Sequence, residues 1–152
     1  MYHFKTKENL FLCLMELWDK EWIYIYNKID KNSITASDKL RSLAEESIKS
    51  DLTHPLRKAY FEYVGTITNS PLNYREKIND DIAMYKETYK RILLEGVVSK
   101  EFKEIDIDLY TDIIHGCING ILESFNNYDV ERLTKILLEA VDIFLESIST
   151  NS

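Results

Sequence analysis

Phe11, Met15, Trp18, Trp22, Ile25 and Ile29 follow one another at alternating steps of four and three residues. An apolar stripe kept in that rhythm over so long a stretch fits an α-helix and no strand, because a strand repeats every second residue. The rhythm returns in Ile78, Ile82, Tyr85, Tyr89 and Ile92, and again in Val130, Leu133, Leu137, Ala140, Val141, Phe144 and Ile148. An all-β chain would need frequent turns built on Gly and Pro, and the whole chain of 152 residues has only four Gly and two Pro. The reading is all-α: one domain, a layered bundle of six helices with surface left for a partner.

The first helix begins at Thr6, a good N-cap, and runs to about Lys31. A second stripe, Leu10, Leu14 and Leu17, predicts that its first half is buried on more sides than its second. Helix two, about Ser37 to Ser50, carries the weaker stripe Leu40, Leu43, Ala44 and Ile48. Helix three starts near Thr53 with Pro55 in its first turn and includes Leu56, Ala59, Tyr60, Tyr63, Val64 and Ile67. Helix four, about Pro71 to Val98, shows a charged outer face of Glu76, Lys77, Asp80, Asp81, Lys86, Lys90 and Arg91. After a loop from Ser99 to Asp106, helix five spans about Ile107 to Phe125, and Asp129 caps helix six. Gly116 and Gly120 lie on one face of helix five, where glycine costs about 1 kcal/mol against alanine. Their pairing predicts the close approach of a helix or a ligand.

Charge narrows the function classes. The 19 basic residues are outnumbered by 26 acidic ones, for a net charge of −7 and a pI near 5.0, and the basic ones are scattered rather than clustered. A nucleic-acid surface needs concentrated Lys and Arg, so the chain by itself is a poor DNA binder. No apolar run is long enough to cross a bilayer. Cys13 and Cys117 sit in apolar helical patterns and read as buried, reduced thiols, which implies a cytoplasmic setting. No nucleophile–base frame and no glycine-rich phosphate loop is present, so the reading is not an enzyme and calls for no cofactor. Asp108, Asp112, His115 and Asn119 share one helical face. With a single imidazole among them, that face reads as solvated rather than as a metal site.

Three strings carry a resemblance. Tyr2-His3-Phe4-Lys5-Thr6-Lys7-Glu8-Asn9-Leu10 resembles the junction between the helix-turn-helix head and the connecting helix in TetR-family transcriptional regulators. Leu93-Leu94-Glu95-Gly96-Val97-Val98-Ser99-Lys100-Glu101-Phe102 looks like the family's helix end and following turn, and Ile113-Ile114-His115-Gly116-Cys117-Ile118-Asn119-Gly120-Ile121 like its glycine-bearing helix. Lys100 departs from the glycine usual there. A left-handed backbone at that position would cost lysine a penalty.

The resemblance implies that residues 1–5 are the remnant of a DNA-binding domain and residues 6–152 an effector-sensing and dimerisation domain. A shortened start could reflect a fragment, an internal Met taken as the first residue, or a naturally headless regulator. The implied function is a ligand-responsive repressor, bacterial and cytoplasmic. The alternative is a headless protein that heterodimerises with full-length partners without binding DNA. The implied effector pocket draws on Trp18, Trp22, Tyr26, Tyr60, Tyr63, Tyr85, Tyr89, His115 and Asn119, a lining suited to a small apolar or aromatic molecule. The implied homodimer face draws on Gly116, Cys117, Gly120, Ile121, Ser124, Leu133, Leu137, Ala140, Val141 and Phe144, some of which must serve the protomer's own packing. Tyr2, His3 and Lys7 would touch DNA phosphates, with operator DNA a partner only if the remaining head is present. No membrane partner is expected.

Overall fold

The computed structural model describes residues 7–53 and 72–150. Among them are five helices: α1 (Lys7–Asn32), α2 (Ala36–Thr53), α3 (Leu72–Val98), α4 (Ile107–Ser124) and α5 (Val130–Ile148). The expected six are therefore matched by five, and the remaining one, predicted from Thr53 through Ile67, falls mostly outside the described residues. The all-α reading stands. The described residues form no strand, only an isolated antiparallel bridge between Phe102 and Ser149.

Helix α2 lies at the centre. It packs most extensively on α5 and also on α3 and α1, while α4 joins α3 to α5. Leu40, Leu43 and Ala44 are fully buried and Ile48 nearly so. The weakest apolar stripe of the chain thus belongs to its most enclosed helix. Around it close Ile92 and Leu93 of α3, Ile114 and Ile118 of α4, and Leu133, Leu137, Val141 and Ile148 of α5.

Helix α1 reverses one expectation. Leu10 and Leu17 are 38% and 62% exposed, whereas Tyr26 and Ile29 near its other end are buried. Leu14 between them is half-buried, and Met15 and Asp19 are the buried residues of the first half, so the second stripe does not add the extra burial expected there. On α3, Asp81 is buried at 3% exposure while Ile82 stands at 36%. The helix is rotated from its expected facing, so Asp81 does not belong to the solvent face. Cys13 is exposed, contrary to the buried thiol expected there, and Cys117 is half-buried. Burial pushes the Cys117 thiol above its ordinary value and keeps it protonated.

Helix ends follow local chemistry. Asp129 accepts the Arg132 N–H at 2.8 Å, as its position before α5 predicts, and Asp106 accepts the Leu109 N–H at 3.2 Å at the start of α4. At the start of α2, Thr35 Oγ1 accepts the Asp38 N–H at 3.1 Å. The two preceding amides donate to a carboxylate far along the chain: Ala36 N–H to Glu101 Oε2 at 2.9 Å and Ser37 N–H to Glu101 Oε1 at 3.1 Å.

After α3 the chain turns through Lys100 at φ 64°. The Lys100 N–H returns to the Val97 carbonyl and the Phe102 N–H to the Gly96 carbonyl. Left-handed backbone costs a non-glycine residue roughly 1 kcal/mol. Lys100→Gly is accordingly expected to stabilise the protein by about that amount. Urea unfolding checks it, and an unchanged or lowered midpoint would contradict the strain.

Candidate functional site

The rings expected to line a pocket come from three helices. Asp19 and Trp22 are one turn apart on α1, Asp81, Tyr85 and Tyr89 follow at helical spacing on α3, and His115 and Asn119 lie one turn apart on α4. Tyr85 donates its hydroxyl to Asp19 Oδ1 at 2.8 Å, which joins α1 to α3. Trp22 meets Tyr85 edge-on, with centroids 5.1 Å apart and planes at 87°, and lies 6.4 Å from Tyr89. Tyr89 in turn meets His115 at 5.9 Å. The result is a continuous run of rings from α1 through α3 to α4, each pair contributing about 0.5–1.5 kcal/mol beyond its buried area.

Polar groups edge this run. Asn119 Nδ2 lies 2.8 Å from His115 Nε2. Burial pushes the His115 pKa below its ordinary value, with the nearby Lys86 charge adding to the effect and Asp112 opposing it, so the imidazole is neutral at neutral pH. The Trp22 Nε1 atom is buried and has no hydrogen-bond acceptor among the described residues. Asp19 and Asp81 are both buried, at 7% and 3% exposure. Neither carboxylate was singled out by residue pattern, since an acidic residue on an amphipathic helix normally faces water. Trp18, half-buried, is one turn before Trp22, and Tyr26, one turn after, is buried. Burial, then the Asp30 charge, raises the Tyr26 pKa. Tyr60 and Tyr63 lie outside the described residues.

The open groove of about 280 Å³ between α1 and α2 is elsewhere. It is lined by residues such as Tyr24, Lys28, Ser42, Glu45 and Glu46, and by none of the ring cluster except through the shared helix α1. Its volume falls short of an ordinary small-molecule site.

Asp108 and Asp112 are engaged across the helix interface, by Lys90 at 3.1 Å and Lys86 at 2.5 Å. No group of residues that could hold a metal ion occurs among the described residues.

The residues expected at a dimer face divide in two. Leu133, Leu137, Val141 and Phe144 are buried in the protomer's own core. Gly116, Gly120 and Ser124 are exposed, with Cys117, Ile121 and Ala140 half-buried. A Cβ at Gly116 or Gly120 would meet nothing within 4 Å, so no described residue of this chain makes the close approach expected at the pair. Around them stand Leu109, Ile113 and Ile143, at 53%, 46% and 61% exposure. Ile113 and Ile143, which were not among the residues expected at a dimer face, stand one turn from Gly116 and Ala140. Tyr2, His3 and the side chain of Lys7 lie outside the described residues. Among those residues, no helix is long and apolar enough to cross a membrane.

Two comparisons bear on this arrangement. Residues 16–150 match the family model described as the C-terminal region of QacR-like proteins. The chain is also similar to the HTH-type transcriptional regulator QacR of Staphylococcus aureus (strain Mu50), with 29% identity over 150 residues, covering 97% of this chain and 78% of that protein.

Proposed function

The chain belongs to the QacR-like C-terminal-region family of TetR-type transcriptional regulators, and from that membership we propose that it senses a small effector and dimerises for a ligand-responsive repressor. The observation that carries the sensing role is the run of rings from Trp22 to His115, edged by the buried carboxylate of Asp19, with Asp81 buried one turn before Tyr85 on α3. A small planar molecule would have ring faces and edges to stack on. A positive charge on it would be met by the π-faces of Trp22, Tyr85 and Tyr89 and by Asp19 and Asp81. An acceptor atom on the same molecule would satisfy Trp22 Nε1–H. The effector class is therefore a small aromatic molecule, cationic rather than anionic.

Calorimetric titration with methylene blue, an aromatic monocation, against naphthalene sulfonate, an aromatic anion, tests this reading. The cation is expected to bind at least about tenfold more tightly, a difference of roughly 1.4 kcal/mol. Trp22→Ala should remove binding of the cation, and Asp19→Asn should erase the preference over the anion. Equal affinity for the two dyes, or binding indifferent to Trp22, sinks the sensing role at this site.

The pairing surface is proposed on α4 and α5, where Ile113, Gly116, Gly120, Ala140 and Ile143 form an apolar face that the protomer leaves open. Native mass spectrometry reports the state directly. A dimer lost on Gly116→Trp supports the placement, and a dimer untouched by that change refutes it. Residues N-terminal to α1 would carry any operator contact, because the whole chain has a net charge of −7 and its basic residues are scattered.

A further inference from the structure

The run of rings ends on α4 in a side chain that can change its charge. His115 is half-buried, with its ring 5.9 Å from that of Tyr89. Its Nε2 lies 2.8 Å from Asn119 Nδ2. In the neutral ring Nε2 accepts from that amide, which leaves the single imidazole proton on Nδ1. Asn119 is exposed, so the Nε2 edge is within reach of water and a second proton can arrive there.

The charges around His115 are largely spent on one another. Across the interface α3 supplies Lys86 and Lys90, and α4 supplies Asp112 and Asp108, one and two turns before the histidine. Lys86 and Asp112 meet at 2.5 Å, Lys90 and Asp108 at 3.1 Å. Helix α5 meets α4 on another side, where Tyr110 lies 6.1 Å from Phe144, and its Glu131 and Lys135 pair with each other. The buried carboxylates of Asp19 and Asp81 lie farther along the run, about Tyr85. Burial, then the Lys86 charge, opposed by Asp112, holds the His115 pKa below its ordinary value.

A neutral His115 leaves this end of the run uncharged. Protonated, it places a full positive charge beside Tyr89, one of the rings offered to the effector's own charge. A cation over Tyr89 would then lie roughly 6–10 Å from the imidazolium, which weakens binding on the order of tenfold or more at an effective dielectric of about 20.

We propose that His115 makes the effector site proton-sensitive: a proton on its imidazole and a cationic aromatic effector exclude one another. The inference rests on the effector reading above and adds the regulation of that site. Binding is full where the ring is neutral and is lost as pH falls through the His115 midpoint. In that acid range each cation bound drives about one proton from Nε2 to water. Acidification thereby desensitises the sensor.

Calorimetric titration of the full chain with methylene blue, from about pH 8 downward, tests the competition. Imidazole NMR locates the His115 midpoint, assigned by the signal missing from His115→Gln. Affinity is expected to fall at least about tenfold across that midpoint. Titrations in two buffers of unlike protonation enthalpy should count about one proton released per dye below it. Lys86→Gln removes the repelling charge, so the midpoint and the fall in affinity should move together to higher pH. His115→Gln should release no proton, whatever its affinity. Affinity level across the midpoint, a fall that does not follow the midpoint in Lys86→Gln, or a proton still released by His115→Gln overturns the inference and leaves the effector reading in place. No dye binding at any pH overturns both.

Discussion

Gly96→Ala is expected to destabilise the protein by about 3 kcal/mol, the largest loss for a single added methyl group in the described chain. A Cβ built at Gly96 would lie 2.0 Å from Phe102 Cδ2, 2.2 Å from Cε2 and 2.8 Å from Cγ, distances no real contact tolerates. Phe102 cannot simply swing aside, since its residue is 2% exposed and belongs to the main core. Its backbone N–H is also held by the Gly96 carbonyl at 2.9 Å. Either the phenyl ring leaves the core or the end of α3 separates from the following turn. For a chain of this size the loss corresponds to a fall of about 10 °C in Tm. A double-mutant cycle locates the cause: Phe102→Ala should cost far less in the Gly96→Ala background than in the parent. Additive costs, or a Gly96→Ala variant within about 0.5 kcal/mol of the parent, would show that the ring is free to move.

Glu101→Ala is expected to cost about 2 kcal/mol, although Glu101 lies in a loop and no side-chain pattern marks it. The first amides of a helix have no partner within it. Those of Ala36 and Ser37 depend on this one carboxylate, while Thr35 serves only the Asp38 amide. Negative charge at that end also complements the helix dipole. Glu101→Gln keeps an acceptor oxygen and should lose roughly half as much. Chemical denaturation gives the totals, and amide exchange gives the location. Faster exchange concentrated at the start of α2 is the expected signature. Uniform change across all helices, or equal stability of Ala and Gln variants, would argue against a capping role.

The helical architecture was legible because its signal is local. The stripe from Phe11 to Ile29 places the end of the first helix, expected near Lys31, within a residue of Asn32, the start expected at Thr6 lies outside the described residues, and Asp129 marks the start of α5 from its position alone. The order of burial was not legible. Helix α2 offers few large apolar residues, yet it is enclosed because α1, α3 and α5 converge on it. The apolar surplus of early α1 faces outward. Asp81 turned inward and Ile82 outward, since an imperfect stripe on a long helix leaves its rotation to the neighbours. Of the expected ring residues, the structure brings Trp22, Tyr85, Tyr89, His115 and Asn119 together. It also ties Asp19 to Tyr85 across two helices far apart in sequence, and buries Asp81 one turn before Tyr85 on α3. The glycine pair predicted a close approach that no described residue makes, and only the packing of the protomer shows that Leu133 and Leu137 of α5 belong to its core.

The cap of α2 also bears on how the chain matures on a ribosome. Glu101 follows Ala36 by 65 positions, so at ordinary synthesis rates the amides wait about 3–13 s for their carboxylate. The main packing partner of α2, helix α5, is made later still. Until then Leu40, Leu43 and Ile48 have no α5 surface to meet, and a short helix with an unsatisfied start is marginal in water. The centre of the finished bundle is therefore among the last parts of the nascent chain to be sheltered, and during that interval it is the segment most dependent on chaperone protection.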